Sequence, residues 1–558
     1  MTVLNMKRNE RADYFRSLYE TAKERCADDV DRLDKHMSQY LGSTEIDGSS
    51  EPALTVRNVT YELIESEFSD TVPHCKVDPA CYSESRDRNA RSIERLCHAL
   101  RVRIPFDELN DRDERYTYIY GGSVWYVEWD AEDGDGDVKV NCLSPKSLVP
   151  EPGVCDIEDM DYCFLEFTTT VSELCRRYGV SAEDIAKLER EVSFGECDED
   201  DAVRLVVGFY RDECGEVGRI VFSGGVCLSD IPRYYARRIK VCEHCGDTLP
   251  CSCENPKTKE KLILAENVDG VSLNYYTPRT FPIIIRKNTS AEASLFGESD
   301  CAMIRPQQQA INKIESRILR KLLRSGVTPV IPEDATVTPS GSVFGEIIRM
   351  KPGDSLDRYG KVDTTPDVSQ DIEEADRLYE HARRILGISD AHQGMEAKNE
   401  SGYSRALRIS QAEGRLSSKR RMKNQAYSKL YRLVFLHYLA FADIPRELSY
   451  RDEYGRVHLD KFRRYDFIED IDGTPYISDD YLFSVDTGDS TEYTRESLWE
   501  KNLTNLKSGT LGDMTSPVTL LCYWQCQERA HYPFARDMVE YFRMKIEKEE
   551  RKDENESK

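Results

Sequence analysis

Two long stretches almost free of helix breakers, Ser299 to Ser325 and Tyr403 to Phe441, constrain this chain more than any other feature of its 558 residues. The first carries one proline, Pro306, near its start, and at about 1.5 Å per residue it would run roughly 40 Å. Its faces separate by helical angle: Ile311, Ile314, Ile318 and Leu322 fall on one stripe, and Lys313, Arg317, Arg320 and Arg324 on another. A core-facing helix with a solvated basic back accounts for that split. The second stretch would run roughly 55 Å if continuous, and Gly414, followed by Ser417 and Ser418, marks a place for a kink. Between the two lie short strand-like pieces punctuated by Gly and Pro (TPVIP and EIIRM), a further helix over Asp371 to Leu386, and the polar loop GISDAHQGMEAKNESG.

The longer stretch is also basic. Arg405, Arg408, Arg415, Lys419, Arg420, Arg421, Lys423, Lys429 and Arg432 face a single acid, Glu413. The chain as a whole has a formal charge of −25, so such a run calls for an acidic partner, a neighbouring subunit or nucleic acid. A net acidic protein is not a simple DNA binder, whose footprint is usually a basic domain. It can work close to DNA without gripping it, because like charges repel. With 39% hydrophobic and 32% charged residues, much of the surface is expected to be polar, extended or shared.

Before residue 299 the chain reads as mixed. Helical periodicity spans about 6 to 41, with Tyr14, Leu18, Cys26, Val30, Leu33 and Met37 recurring among charges. Val124 to Trp129 and Val138 to Leu143 alternate as strands around AEDGDGD, a turn signal that could also be read as a calcium loop but lacks the ligand spacing for one. FPIIIRKN, from Phe281, reads as a buried strand. Downstream, a short β-rich stretch over 449 to 487 precedes helices to about 547, and the tail EKEERKDENESK reads as a solvated end. The longest apolar run, Leu433 to Ala442, is interrupted by His437 and too short to span a bilayer. The N-terminus breaks into charges before any apolar run, so no secretory signal is expected.

Eighteen cysteines scattered through a long chain without an export signal point to reduced thiols in a cytoplasm. CEHCGDTLPCSCE is the sharpest local motif. Cys242, Cys245, Cys251 and Cys253 can close a tetrahedral sulfur site for a structural zinc, with His244 as a substitute ligand; two reduced cysteine pairs are the alternative. Cys522 and Cys526 share a helical face with apolar neighbours and are expected to be buried. There is no G-x-x-x-x-G-K-[ST], H-E-x-x-H or G-x-S-x-G, which lowers the case for an enzyme.

The order of these elements resembles the portal proteins of tailed bacteriophages. FPIIIRKN leads into LFGESDCAMIRPQQQAINKIESRI, which is similar to the portal succession of strand, Gly-x-Ser and long helix, at Gly297, Ser299, Gln309 and Asn312. KNESGYSRALRISQAEGRL resembles the segment that opens the long portal helix, at Ser401, Gly402 and Ala406. GGSVWYVEWD followed by SPKSLVPEPG resembles the portal wing, and the similarity extends over most of residues 50 to 510. The resemblance implies an α+β, portal-like subunit. Residues 1–298 would be an N-terminal helix and wing, with a cysteine insertion at 240–256 that portals do not generally carry. Residues 299–326 would be an outer stem helix, 327–366 a small α/β clip, 367–388 a second stem helix and 389–403 a tunnel loop. Residues 404–441 would be a long kinked helix, 442–490 the completion of the wing, 491–547 a helical crown and 548–558 a tail.

It also implies a structural, non-enzymatic subunit of a homo-oligomeric ring, typically of twelve, at one capsid vertex of the virion and assembled in the host cytoplasm. Double-stranded DNA would pass through without sequence readout during packaging and ejection. Terminase, the major capsid protein and head-completion or tail adaptor proteins would be partners, with no membrane. In the tunnel loop, His392, Gln393, Lys398 and Asn399 would meet phosphate. Twelve copies would carry about −300, a mostly repulsive conduit. Another virion component, such as a head-completion or minor capsid protein, is the alternative.

Overall fold

A computed structural model describes residues 6–48, 51–130, 136–185, 187–189, 202–242, 258–263, 265–268, 271–292, 294–324, 327–330, 336–338, 347–349, 360–363, 366–388, 402–451, 457–471, 474–486, 495–529 and 541–546, with isolated positions at 355, 357, 532, 535, 538 and 539. Over these residues the chain is a mixed α+β protein. Its helices are α1 (Arg8–Tyr40), α2 (Val59–Glu65), α3 (Glu84–Arg103), α4 (Phe106–Tyr120), α5 (Val171–Tyr178), α6 (Ala182–Ile185), α7 (Asp300–Arg324), α8 (Ser369–Leu386), α9 (Gly402–Phe441), α10 (Arg495–Lys507) and α11 (Pro517–Arg529).

The largest sheet is an antiparallel meander of Leu148–Pro150, Tyr162–Thr170, Ala202–Arg211, Val217–Ser223 and Val226–Ile231. Successive side chains point to opposite faces of a strand, and here both faces are covered. Phe164, Val206, Tyr210, Ile220 and Phe222 pack against Ala12, Phe15, Tyr19 and Ala22 of α1. Leu165, Val207, Phe209 and Val221 face the other way, into a second core. This corrects the expected stripe of α1. Tyr14 is exposed, Leu18, Cys26, Val30 and Met37 are half-buried, and only Leu33 of that set is buried. The face that packs is one residue further along, because α1 must meet the sheet through Phe15 and Tyr19.

A three-stranded sheet has the order Ile283–Lys287, Gly122–Asp130, Asp137–Leu143, all antiparallel. It divides two cores: Val124, Tyr126 and Ile283 join the meander's core. Trp125, Val127 and Ile284 face Tyr427, Leu430 and Val434 of α9. The strands Val124 to Trp129 and Val138 to Leu143 pair as the alternation predicts, with Val124 opposite Leu143. Strand His74–Pro79 pairs with Tyr481–Asp486, so the C-terminal β-rich stretch returns to the N-terminal half beneath α3 and α9. Leu433 to Ala442 serves as the core segment of α9, with His437 fully buried. Among the described residues no helix is long and apolar enough to cross a membrane.

Two expectations fail for reasons of geometry. Leu322 is exposed, as is Leu323, because the last turn of α7 meets α8 through the ion pair of Lys321 with Asp371 and not through its apolar side chains; only Ile311 and Ile318 of the predicted stripe are buried. Cys522 is exposed and Cys526 half-buried. Helix α11 instead turns Thr519, Tyr523 and Gln527 inward, and Gln527 hydrogen-bonds the Tyr523 hydroxyl at 2.8 Å.

Candidate functional site: a helical hairpin rooted in buried charge

Helices α7 and α8 lie antiparallel. Arg317 and Lys321 near the end of α7 reach Asp371 at the start of α8, Lys321 at 2.5 Å. Ile304 and Ile311 near the start of α7 share a core cluster with Tyr379, Ala382 and Leu386 of α8. Between the two helices the described residues include Val327–Val330 paired with Gly360–Asp363 and Thr336–Thr338 paired with Ile347–Arg349, both antiparallel. A β unit therefore sits on the far end of a helical hairpin. The helical hydrogen bonding of α9 is unbroken through Gly414.

The near end of the hairpin is fixed by residues of the Gly-x-Ser motif. Gly297 has φ +91, and a Cβ there would meet the Thr289 carbonyl oxygen at 2.2 Å, so no side chain fits. Ser299 donates to the Ile119 carbonyl (2.6 Å) and accepts from Ala302 N–H (3.4 Å), which caps α7 and ties it to α4. Asn312 is buried, but the buried glutamine is Gln308 rather than Gln309. The Gln308 amide oxygen accepts from Thr60 N–H (3.0 Å), and its amide donates to Arg57 O (2.8 Å) and Asn312 Oδ1 (2.9 Å). In a run of three glutamines, only the helix phase decides which one turns inward.

Beneath this lies a hub of buried ions that sequence reasoning missed. Lys419 of α9 places its ammonium 2.7 Å from Asp300 and 2.7 Å from Glu67, and lies 4.9 Å from the Tyr118 ring centroid. Arg286 contacts Asp113 and sits 2.7 Å from Glu114, which Lys423 reaches at 3.0 Å. Asp113 also accepts from Trp125 Nε1 at 2.9 Å. Asn288 donates to Asp300 at 3.0 Å and thereby joins the strand Ile283–Lys287 to the first turn of α7.

Three cations, Arg286, Lys419 and Lys423, face four carboxyls, Glu67, Asp113, Glu114 and Asp300. The surplus falls on Glu67. Burial and then the neighbouring Asp300 push its carboxyl up to about 8 despite Lys419, and one of its oxygens has no hydrogen-bond partner among the described residues. Glu114 goes the other way: burial raises it, but Arg286 and Lys423 more than offset that and hold it below the usual range. Burial lowers Lys423, whereas Asp300 and Glu67 outweigh burial at Lys419 and raise it.

The hub answers part of the question posed by the basic run on α9. Lys419 and Lys423 find their acids inside the chain, and Lys429 pairs with Glu158 at 2.6 Å. Nothing is described of the side chains of Arg405, Arg408 and Arg415. On the basic face of α7, Arg317 pairs with Asp371, Arg320 pairs with Glu51 at 2.9 Å and Lys313 is exposed; the Arg324 side chain lies outside the described residues.

Cys242 is buried at the end of the paired strands Arg237–Cys242 and Thr258–Ile263, opposite Thr258. That register brings together the two ends of the segment that holds the other cysteines. Cys245, Cys251 and Cys253 lie outside the described residues, as do His392, Gln393, Lys398 and Asn399. Among the described residues no three metal-ligating side chains converge. No family model matches the chain, and no curated protein does.

Proposed function

We propose that this chain is a portal subunit: a structural component of a ring at one capsid vertex, through which double-stranded DNA enters during packaging and leaves at ejection. One observation carries the reading. A sheet strand (Ile283–Lys287) leads through a Gly-x-Ser cap into α7, then a small β unit, then antiparallel α8, then the 40-residue α9, which returns to the core it started from. In that reading α7 and α8 are the stem, the strands between them the clip, 389–403 the tunnel loop, and the sheets with α1 the wing. The buried hub then acts as the joint that fixes the stem to the wing, because α4, α7, α9 and the strand Ile283–Lys287 all contribute to it.

Terminase and head-completion or tail adaptor proteins are the proposed partners of the clip, and the major capsid protein that of the wing. The cysteine segment is a proposed structural zinc knuckle of the wing. Exposed Lys313, with Arg317 and Arg320 in screened surface pairs, gives α7 modest attraction for phosphate on a chain of net charge −25. A capsid-assembly system lacking this gene product tests the reading: packaging should fail, with capsids formed but empty, and complementation by the full chain should restore filled particles. Filled particles without it would overturn the proposal.

A further inference from the structure

An open cavity of about 290 Å³ lies on the seam between the two large cores, between α9 and the strand Ile283–Lys287. Its floor is apolar, formed by Ile284, Ala426, Leu433 and Leu436, all buried. Its rim carries four cations, Arg211, Lys287, Lys429 and Arg432, against two acids, Asp156 and Glu158, and is net positive. Lys429 is neutralised by Glu158, but Lys287 bonds the Cys155 carbonyl at 3.1 Å, and exposed Arg432 forms no ion pair among the described residues. An apolar floor beneath a net positive rim suits an apolar group flanked by carboxylates.

The chain carries such a group on another face. Leu482 is 61% exposed on the strand Tyr481–Asp486. Asp78 lies directly opposite it in the antiparallel register, Asp480 is two residues before it, and both are exposed. Neither aspartate forms an ion pair among the described residues. Knob and socket flank the same helix: Ser428 and Phe435 of α9 face the strand that bears Leu482, while Gln425, Lys429 and Arg432 face the cavity. The two directions differ by roughly 80° about the helix axis. A knob and a socket on different faces of one chain make a head-to-tail contact, the kind that closes rings.

We infer that the cavity between α9 and the strand Ile283–Lys287 receives Leu482 of a second copy of this chain, with Asp78 and Asp480 of that copy meeting Lys287 and Arg432. The contact rests on the ring reading and specifies one of its interfaces. It anchors a larger surface, since a stable contact buries more than about 1,000 Å².

The test uses the full chain, followed by sedimentation velocity over a concentration series and negative-stain microscopy. Leu482→Asp and Arg432→Asp should each raise the dissociation constant about tenfold or more and leave the melting temperature unchanged, both positions being exposed. Combining Arg432→Asp with Asp480→Arg should restore assembly. Ala426→Trp, which fills the floor, should block assembly in any preparation that melts like the parent. Rings from Leu482→Asp and Arg432→Asp at parental concentrations would overturn the inference, as would parental-strength assembly by a protein whose cavity holds a co-purified anionic lipid. If the parent forms a smaller oligomer that these variants dissolve, the contact stands and the ring reading falls. A parent that stays monomeric throughout removes both.

Discussion

The ammonium of Lys419, in the long helix α9, lies 2.7 Å from the carboxylate of Asp300, the first residue of α7. That pair, with Glu67 as its third member, joins two helices that begin about a hundred positions apart in the chain. Removing the cation strands buried carboxyls. Lys419→Ala should therefore destabilise the fold by about 3–5 kcal/mol in urea titration. Arg320→Ala, which breaks only the exposed pair with Glu51, should cost less than about 1 kcal/mol. Equal effects from the two would contradict the burial of the hub.

Glu67 sets a pH dependence. Its folded-state value of about 8 lies above the ordinary 4.5, so between these limits the folded chain holds a proton that the unfolded chain has lost. Stability should then fall as pH rises through this window and level off above it, by at most about 1.4 kcal/mol per pH unit from this group. Glu67→Gln should flatten that slope, most visibly between pH 6.5 and 8. A mutant that keeps the full slope would refute the assignment.

His437 has the opposite sign. It is fully buried, its Nδ1 donates to the Leu433 carbonyl (2.8 Å), and its Nε2 has no partner among the described residues; burial lowers its folded-state value from 6.5 to about 4. Between those values only the unfolded chain takes up the proton, so stability should be lost as pH falls from 6.5 towards 4. His437→Phe, packed as the imidazole is against Tyr235 and Phe441, should remove that part of the acid sensitivity. It should also stabilise the protein by about 1 kcal/mol at neutral pH, because an unpaired polar atom is lost. Unchanged acid sensitivity in the variant would contradict this.

The hairpin was legible in the sequence and the hub was not, for one physical reason. Breakers and helical period are local signals, so α7, α8, α9 and the strand pair around residues 131–136 could be placed from spacing alone. Which charges go inside is decided by partners far away in the chain. Lys419 and Lys423 look like the solvated cations beside them until α4 and α7 bring Glu114 and Asp300 into reach. The same holds for Phe15 and Tyr19, which are chosen over Tyr14 by a sheet whose strands run from Leu148 to Ile231, and for Gln308 over Gln309. The α+β class was legible; the portal architecture comes from the resemblance and remains a proposal.

The cysteine segment makes a separate prediction. Purified protein should hold about one zinc per chain, lost when Cys242 and Cys245 are both replaced by serine. The register of Cys242 opposite Thr258 should then open at that end, read as faster proteolysis between 243 and 257. Metal-free protein with equal protease resistance would reject the knuckle.

Deleting Met395 to Asn399 should leave assembly intact, because the sequence of this polar loop predicts no core residue there. DNA packaging or retention should fall, and the remaining DNA contact should depend less on salt once Lys398 is gone. Normal yields of filled, infectious particles from this deletion would show that the loop is not the channel's contact with DNA.

Negative-stain imaging of the purified full chain, and of particles assembled with it, decides whether this chain builds a ring. Closed rings of about twelve subunits around a central channel are the expected result. A strictly monomeric protein at high concentration, with no ring in the assembled particles either, would contradict it.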